Sequence, residues 1–428
     1  MFLVALTEFW ERFSYWGLAA VLVLFLTAPQ AAGGWGWADA QALRLYGAYA
    51  GLGFILPVLG AWLVNTLMSE RKAIGYGGTV IMAGHVSLAI STALPVAAQP
   101  ASFLSGLLLI LCGTALLKPA ISSIVADLYP HGGSLRDEGF IYFFVAIYIG
   151  ALGGGLVVGY LAARWGWHYA FGAAAVGMAF GLLGYFARQR RWLHGVGEVV
   201  RRPVRSGYER LTALEWSHVR IILVQGLFAC VYSVGFFQML GLLNLYAHRH
   251  ADRAFGTFEL PTAWLQTTCV WAFLFFSPLL ALLWRRLERR ACNPNASYKL
   301  VAGLISLAIG YWVLAGAEAA KTSATISPGW LLLAYLFFGL GDALVWAPQI
   351  SLTSKLAPKR YAVAFVGGWY VFMGVGTFLA GYIGAWVQGV PFRDVFTGFS
   401  IALAIAAAML VLYTRALKDR LSAVDIVR

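Results

Sequence analysis

The chain has 428 residues, of which 61% are hydrophobic and only 11% are charged. Because charged residues make up about a quarter of an ordinary soluble chain, this composition excludes a typical soluble globular protein and favours one that lies in a membrane. A formal net charge of +13 would suggest nucleic acid as the partner of a soluble protein. Here the basic residues fall in loops between apolar runs, where a bilayer surface attracts them, so we expect no nucleic-acid partner.

Apolar stretches of about 20 residues recur along the chain and predict an all-α polytopic membrane protein with about twelve transmembrane helices. In chain order the predicted helices are 3–27, 43–66, 73–95, 102–126, 139–162, 168–187, 219–246, 262–283, 299–317, 329–353, 362–388 and 393–415. The first is too long for a secretory signal peptide and lacks a small-residue cleavage pattern. Whether the seventh ends before residue 246 stays open, because the polar run His248-Arg249-His250 follows it closely.

The first predicted helix carries three charged side chains, where a lipid-spanning helix should carry none. Spacings of i, i+3, i+4 and i+7 place four of its side chains on one face: Glu8, Glu11, Arg12 and Tyr15. An ion at mid-membrane costs roughly 2.5–3.5 kcal/mol, so this face must look into the protein interior or a watered cavity. A solvated N-terminal end is the alternative. Apolar sequence flanks the charges on both sides, however, and favours a functional intramembrane site.

Lysine and arginine are distributed unequally among the predicted loops. If the N-terminus lies in the cytoplasm, the outer loops hold only Arg44, Arg164, Arg249, Arg253, Lys321 and Arg393. Most of the remaining basic residues then fall on the cytoplasmic side, as the positive-inside rule requires. We therefore expect an even number of spans with both termini in the cytoplasm.

One long hydrophilic connection divides the chain into two similar halves. We expect an N-terminal six-helix bundle over 1–187, a cytoplasmic linker over 188–218 with room for one amphipathic helix, and a C-terminal six-helix bundle over 219–428. Two such bundles match the major facilitator plan, in which the substrate site lies between the halves near mid-membrane.

Two further charges lie inside predicted helices. Lys118 precedes Pro119, which can kink the helix toward a cavity. A lysine that reaches the inner membrane surface is the alternative, but mostly apolar residues separate Lys118 from Asp127. Asp342 lies well inside the tenth helix, where a carboxylate must be protonated or matched by a cation. Lys118 and Asp342 are therefore candidate partners across the two halves.

Other residues that could take part in chemistry are interpreted as structural. The four cysteines have neither disulfide-framework nor zinc-ligand spacing, so we expect free thiols and no metal site. His85 is interpreted as a satisfied histidine between helices rather than a proton relay, and the glycine runs at 150–155 and 374–384 as close helix packing. The sequence has no catalytic Ser/His/Asp or nucleotide-binding pattern, which indicates that the protein is not an enzyme and uses no cofactor.

Two stretches, residues 8–17 (EFWERFSYWG) and 113–129, carry specific motifs. They resemble the ExxERFxYYG and GxGLLKPNISxxxxDLY motifs of the proton-dependent oligopeptide transporters (POT/PTR), a family of the major facilitator superfamily. Further similar segments are 136–140, 237–245, 261–266 and 355–369. The resemblance covers nearly the whole chain, without the two extra helices that bacterial members usually carry between the halves.

The resemblance implies roles for individual residues. Proton coupling would involve Glu8, Glu11, Arg12, Lys118 and Asp342. Lys118 would also hold a substrate carboxylate, and Asp342 would meet the peptide amino group. The residues that would line the substrate pocket are Arg12, Tyr15, Trp16, Lys118, Tyr148, Phe237, Gln238, Cys269, Asp342 and Trp369.

The chain departs from the family pattern at several positions. Ala19 stands where the family has an arginine and Phe237 where it has a glutamate, so a cation and an acid are lost together. Losing one alone would strand a charge in a low-dielectric site. Tyr148 and Cys269 replace asparagines that usually hold the amino end of the peptide. We expect a pocket that is more aromatic and less bipolar than a standard dipeptide site.

The expected function is proton-coupled import of small peptides or peptide-like compounds by alternating access. The proton gradient would supply the energy, and the protein would act as a monomer in the bacterial inner membrane. Two alternatives stay open. One is a major facilitator that moves a non-peptide metabolite or drug, such as a siderophore or antibiotic conjugate. The other is a receptor that binds peptides without moving them.

Overall fold

The structure is a computed structural model that describes residues 1–129, 134–200, 210–322 and 324–416. Its helices are α1 (Phe2–Thr27), α2 (Asp39–Leu67), α3 (Glu70–Ser91), α4 (Gln99–Asp127), α5 (Ser134–Arg164), α6 (Trp167–Trp192), α7 (Ala213–Phe236), α8 (Leu242–His250), α9 (Thr262–Glu288), α10 (Ala296–Ala319), α11 (Pro328–Leu356), α12 (Ala362–Trp386) and α13 (Phe392–Ala416). A small antiparallel hairpin pairs β1 (Ala254–Phe255) with β2 (Phe258–Glu259). Over the described residues, twelve stretches are long and apolar enough to cross a membrane. The predicted all-α polytopic membrane protein is confirmed.

The seventh membrane stretch is interrupted, whereas the sequence predicted one helix over 219–246. Helix α7 ends at Phe236, and a 3-10 turn covers Phe237–Leu240. Gly241 then leaves the helical region, with φ −108° and ψ −103°, before α8 begins. Glycine takes this conformation at little cost because it has no Cβ. The break places Phe237 and Gln238 in a turn rather than on a helix face.

The described helices group into two compact units. The N-terminal unit comprises Met1–Arg205 and Leu260–Thr267 and holds α1 to α6. Most side chains of α1 are buried in it. Helix α5 approaches α1 so closely that a Cβ on Gly154 would lie 2.1 Å from the carbonyl oxygen of Phe13. The predicted role of the first glycine run in close helix packing is therefore confirmed.

The C-terminal unit comprises Ser206–Glu259 and Thr268–Arg428. Within it, α10 packs against α11 and α13, and α7 packs against α12. A Cβ on Gly376 of α12 would lie 2.3 Å from the carbonyl oxygen of Cys230 on α7. The second glycine run thus also serves close helix packing, as predicted.

The two helices that flank the predicted linker extend into it, since α6 ends at Trp192 and α7 begins at Ala213. Arg71 at the start of α3 fixes the first part of the linker: its Nε donates to the carbonyl oxygen of Val196 at 2.7 Å. Residues 193–200 form turns and bends. Residues 201–209 lie outside the described part of the chain, so the predicted amphipathic helix stays a prediction.

Candidate functional site

The charges predicted on the first helix lie together inside the N-terminal unit. Glu8 and Glu11 are each 1% exposed, and Arg12 is 9% exposed. The Arg12 guanidinium donates through Nε and Nη2 to the two carboxylate oxygens of Glu11, each at 2.5 Å, and Nε lies 3.4 Å from Oε1 of Glu8. Such two-pronged, charge-assisted contacts are among the strong hydrogen bonds of proteins. The alternative of a solvated N-terminal end is wrong, because these groups are buried.

Lys118 joins the same group from α4. Its Nζ donates to Oε1 of Glu8 at 2.9 Å and lies 3.6 Å from Oε2 of Glu11. The alternative of a lysine that reaches the membrane surface is therefore wrong. Glu8, Glu11, Arg12 and Lys118, hereafter the ion cluster, pair two acids with two bases. This pairing offsets the cost of burying each charge, and removal of a single member would leave an uncompensated charge.

Aromatic side chains adjoin the ion cluster. The ring of Tyr15 lies one turn beyond Arg12, with its centroid 4.9 Å from the guanidinium carbon, a distance that allows a cation–π contact. Tyr15 stacks on Tyr49 of α2 with 6.0 Å between centroids, and Trp16 packs edge-on against Tyr15 at 6.2 Å. Tyr49 was not predicted, because a tyrosine within an apolar run has the same pattern as a residue that only packs.

In the C-terminal unit, Asp342 of α11 is 6% exposed. The Tyr232 hydroxyl of α7 lies close to it, since a Cβ on the adjacent Gly341 would be 3.4 Å from that oxygen. Gly339 lies one turn before Asp342 and lets α9 approach α11 closely. A Cβ on Gly339 would be 2.3 Å from the Cys269 carbonyl oxygen. The structure thus brings together two predicted site residues, Asp342 and Cys269, with Tyr232, which was missed. The pairing of Asp342 with Lys118 stays a prediction.

A pair of tryptophans lies near Asp342. Trp369 of α12 is fully buried, whereas Trp346 of α11 is partly buried. Their rings meet at 75° with 5.1 Å between centroids. Trp346 follows Asp342 by four residues, so the two side chains share one face of α11. The sequence predicted Trp369 as a pocket residue but missed Trp346, the more exposed member of the pair.

Three other predicted pocket residues have structural contacts or surface positions. Gln238 donates through Nε2 to the carbonyl oxygen of Ala380 at 2.8 Å, which fixes the turn after α7 to α12. Phe237 packs edge-on against Phe236, with 5.2 Å between centroids. Tyr148 lies half-buried on α5. Their contact with a substrate stays a prediction.

His85 differs from its interpretation as a satisfied histidine. Its side chain is fully buried, and neither ring nitrogen has a hydrogen-bond partner within the described residues. That interpretation is wrong. In the same described part of the chain, no group of three or more His, Cys, Asp or Glu side chains is placed to hold a metal, and all four cysteines are free thiols.

The described residues contain twelve membrane-length helical stretches and an ion cluster buried within the first unit, which together define an integral membrane protein of the major facilitator type. The family follows from a comparison with known proteins. The family model described as "POT family" matches residues 71–198 and 217–398, well over half of the chain. The chain belongs to the POT family, and the resemblance drawn from the motifs is confirmed.

Relatives support both the family and the fold. The chain is 27% identical over 473 residues to the "Peptide transporter YePEPT" of Yersinia enterocolitica, a match that covers 95% of this chain and 92% of the relative. It is 27% identical over 428 residues to a "Di-/tripeptide transporter" of Lactococcus lactis, covering 85% and 84% of the two chains. A crystal structure of a POT peptide transporter in complex with sulfate is 26% identical, with a TM-score of 0.90 over 98% of this chain and 94% of that one. The predicted major facilitator fold is confirmed.

Proposed function

We propose that the protein is a proton-coupled symporter that imports small peptides or peptide-like compounds by alternating access. The observation that carries this proposal is the bridging position of Lys118, which contacts Glu8 at 2.9 Å and Glu11 at 3.6 Å. Family membership and the relatives named as peptide transporters supply the class of substrate.

The charges of the ion cluster explain how a proton and a substrate would be coupled. Two carboxylates and two cations are formally neutral. A proton that neutralises Glu8 or Glu11 leaves one positive charge in excess, which is costly in a buried site. A substrate carboxylate bound by Lys118 restores neutrality. Proton and substrate therefore stabilise each other's binding, which is the thermodynamic requirement of symport.

Asp342 would receive the other end of the substrate. A buried carboxylate matches a protonated amine, and the partly buried ring of Trp346 can add a cation–π contact. Trp369, Tyr15 and Trp16 would add apolar contact area.

The remaining parts of the proposal concern the cellular setting. We place the protein in a bacterial inner membrane with both termini in the cytoplasm, because the lysines and arginines concentrate on one side of the predicted spans. It would act as a monomer, without a cofactor, and draw its energy from the proton gradient.

Purified protein in sealed proteoliposomes tests the proposal. An inward-directed pH gradient should drive the accumulation of at least one member of a panel of di- and tripeptides and peptidomimetics, and a protonophore should abolish it. Glu8→Gln, which removes an acid of the ion cluster, should abolish accumulation, whereas Glu198→Gln, at a half-exposed acid in the linker, should not. Accumulation of non-peptide compounds alone would contradict the peptide assignment. Binding without counterflow would indicate a receptor.

A further inference from the structure

Helix α9 is the least buried of the twelve described membrane-length stretches. Only 17% of its apolar stretch is buried. Several exposed side chains follow one another at steps of three or four residues and so share one helix face: Trp271, Phe275, Leu279, Leu282 and Arg286. The first four are between 47% and 63% exposed. In a bilayer this face is suited to contact with lipid chains, and it ends on a cation.

A cluster of basic residues lies where this apolar face ends. Residues 285–290 contain four arginines, all of them exposed: Arg285, Arg286, Arg289 and Arg290. Glu288 is the only acid in the sequence between Thr268 and Ala317. It follows Arg286 by two residues, which places the two side chains on roughly opposite faces of the helix. The exposed face of α9 therefore ends in arginines, and the acid of this helix lies on the other side.

The next helix adds a fifth cation at the same end of the C-terminal unit. Lys299 of α10 places its Nζ 4.5 Å from the centroid of the Trp284 ring of α9, a distance that allows a cation–π contact. Tryptophan is enriched where a membrane meets water, so Trp284 marks the depth of the headgroups. Two helices thus present cations at the level where a lipid carries its charge.

The basic end of α6 in the N-terminal unit gives a comparison. Arg190 and Arg191 are exposed there, and they follow the same positive-inside pattern. Acids lie in that region as well, since Glu198 pairs with Arg71 and the neighbouring Glu70 is buried. The positive-inside rule accounts for basic residues at both ends. It does not account for arginines that continue an exposed apolar face and are joined by a lysine from a second helix.

We propose that the ends of α9 and α10 form a binding site for an anionic phospholipid. This inference goes beyond the proposed function, because it concerns the surrounding membrane and not the transported substrate. The lipid phosphate would lie among Arg286, Arg290 and Lys299, and an acyl chain would lie along the face from Trp271 to Leu282. Charge complementarity selects an acidic headgroup, since arginine binds phosphate through two parallel hydrogen bonds and basic pockets between helices bind such headgroups. The continuous apolar face selects a lipid over a free phosphate.

Native mass spectrometry of the purified protein in detergent tests the site without any transport, so its failure is distinct from failure of the proposed function. Wild type should retain added cardiolipin, whose headgroup is doubly charged, in preference to the zwitterionic phosphatidylcholine. The double variant Arg286→Gln/Arg290→Gln should bind cardiolipin at least about tenfold more weakly. Arg190→Gln/Arg191→Gln removes the same charge at the end of α6 and should change the affinity by less than about twofold.

Thermal unfolding gives a second readout. Cardiolipin should raise the apparent melting temperature of wild type, because a ligand that binds the folded state stabilises it. Lys299→Met keeps every arginine and should lose at least about half of that shift, so it tests the site even if the double variant does not fold. Glycerol phosphate, which has no acyl chains, should neither bind nor compete with cardiolipin. Equal weakening in the α6 and α9 variants would mean general attraction between basic loops and lipid, and binding of glycerol phosphate would mean a free-anion site. Either result would overturn the proposal.

Discussion

The buried carboxylates of the two units have different surroundings. In the N-terminal unit, Glu8 and Glu11 are neutralised by two cations at hydrogen-bonding or near-contact distances. In the C-terminal unit, the buried Asp342 lies near the Tyr232 hydroxyl and the Cys269 thiol of its own unit. The charges of the ion cluster sum to zero, so the gain of one proton leaves an excess positive charge in it. The second arrangement places a buried carboxylate close to a hydroxyl and a thiol.

This difference explains the lost residues of the family pattern. Phe237, where the resemblance implies a missing acid, is buried against Phe236, and Ala19, where it implies a missing base, is buried in α1. With both absent, the ion cluster still pairs two acids with two bases. Proton coupling should therefore depend on the ion cluster, and substrate choice on Asp342.

The largest effect is expected for Lys118→Ala. It removes the cation that bridges Glu8 and Glu11, so protonation of either acid can no longer free a partner for the substrate carboxylate. Gradient-driven uptake should fall below about 1% of wild type, while counterflow is retained in part. Uptake into proteoliposomes measures both. Lys72→Ala, at an exposed lysine, is the matched control, and full concentrative uptake by Lys118→Ala would remove Lys118 from the mechanism.

The second prediction concerns Asp342→Asn. Loss of the carboxylate should weaken substrates that have a free amino group by about 10- to 100-fold, the range expected for a hydrogen bond to a charged group. N-acetylated analogues should change much less. Competition binding on pairs of free and acetylated peptides measures the difference. Equal weakening of both members of each pair would mean that Asp342 acts in gating and not in recognition of the amino group.

The third prediction concerns helix packing. Gly154→Ala places a Cβ against the Phe13 carbonyl oxygen, and Gly376→Ala places one against that of Cys230. Each should destabilise its unit by about 1–3 kcal/mol, as overpacking does. At Gly172 a Cβ would meet no atom within 4 Å, so Gly172→Ala should be neutral or stabilising. Apparent melting temperatures in detergent give the comparison, and a stable Gly154→Ala would show that α1 and α5 can separate at little cost.

The sequence allowed much of this architecture to be predicted, for physical reasons. Membrane-length apolar runs have a strong signal, and the i, i+3, i+4 spacing is by itself enough to place Glu8, Glu11 and Arg12 on one helix face. The break at Gly241 was missed, because its neighbours are apolar on both sides and leave no change in composition.

The contacts between side chains could not be predicted from the sequence either. Tyr49, Tyr232 and Trp346 look like packing residues, since an aromatic residue in an apolar run has the same pattern whether it faces lipid, core or cluster. Lys118 stood out as a charge, but its contact with Glu8 joins residues 110 positions apart, and no local pattern encodes such a contact. His85 was misread because a lone histidine in a helix is usually hydrogen-bonded, and its unpartnered state depends on how α3 meets α4.

The smallest effects should separate a satisfied tyrosine from an unsatisfied one. Tyr246 in the C-terminal unit donates its hydroxyl hydrogen to Oε1 of Glu318 at 2.5 Å, whereas the Tyr49 hydroxyl has no partner within the described residues. Tyr246→Phe should therefore lower the unfolding free energy by about 1 kcal/mol, whereas Tyr49→Phe removes a buried hydroxyl without a partner and should raise it by about 1 kcal/mol. Melting curves of the two variants, recorded side by side, measure this difference. An equal loss in both would mean that the Tyr49 hydroxyl is hydrogen-bonded in the folded protein, and the N-terminal unit would then hold fewer unsatisfied polar atoms around Glu11 than its geometry indicates.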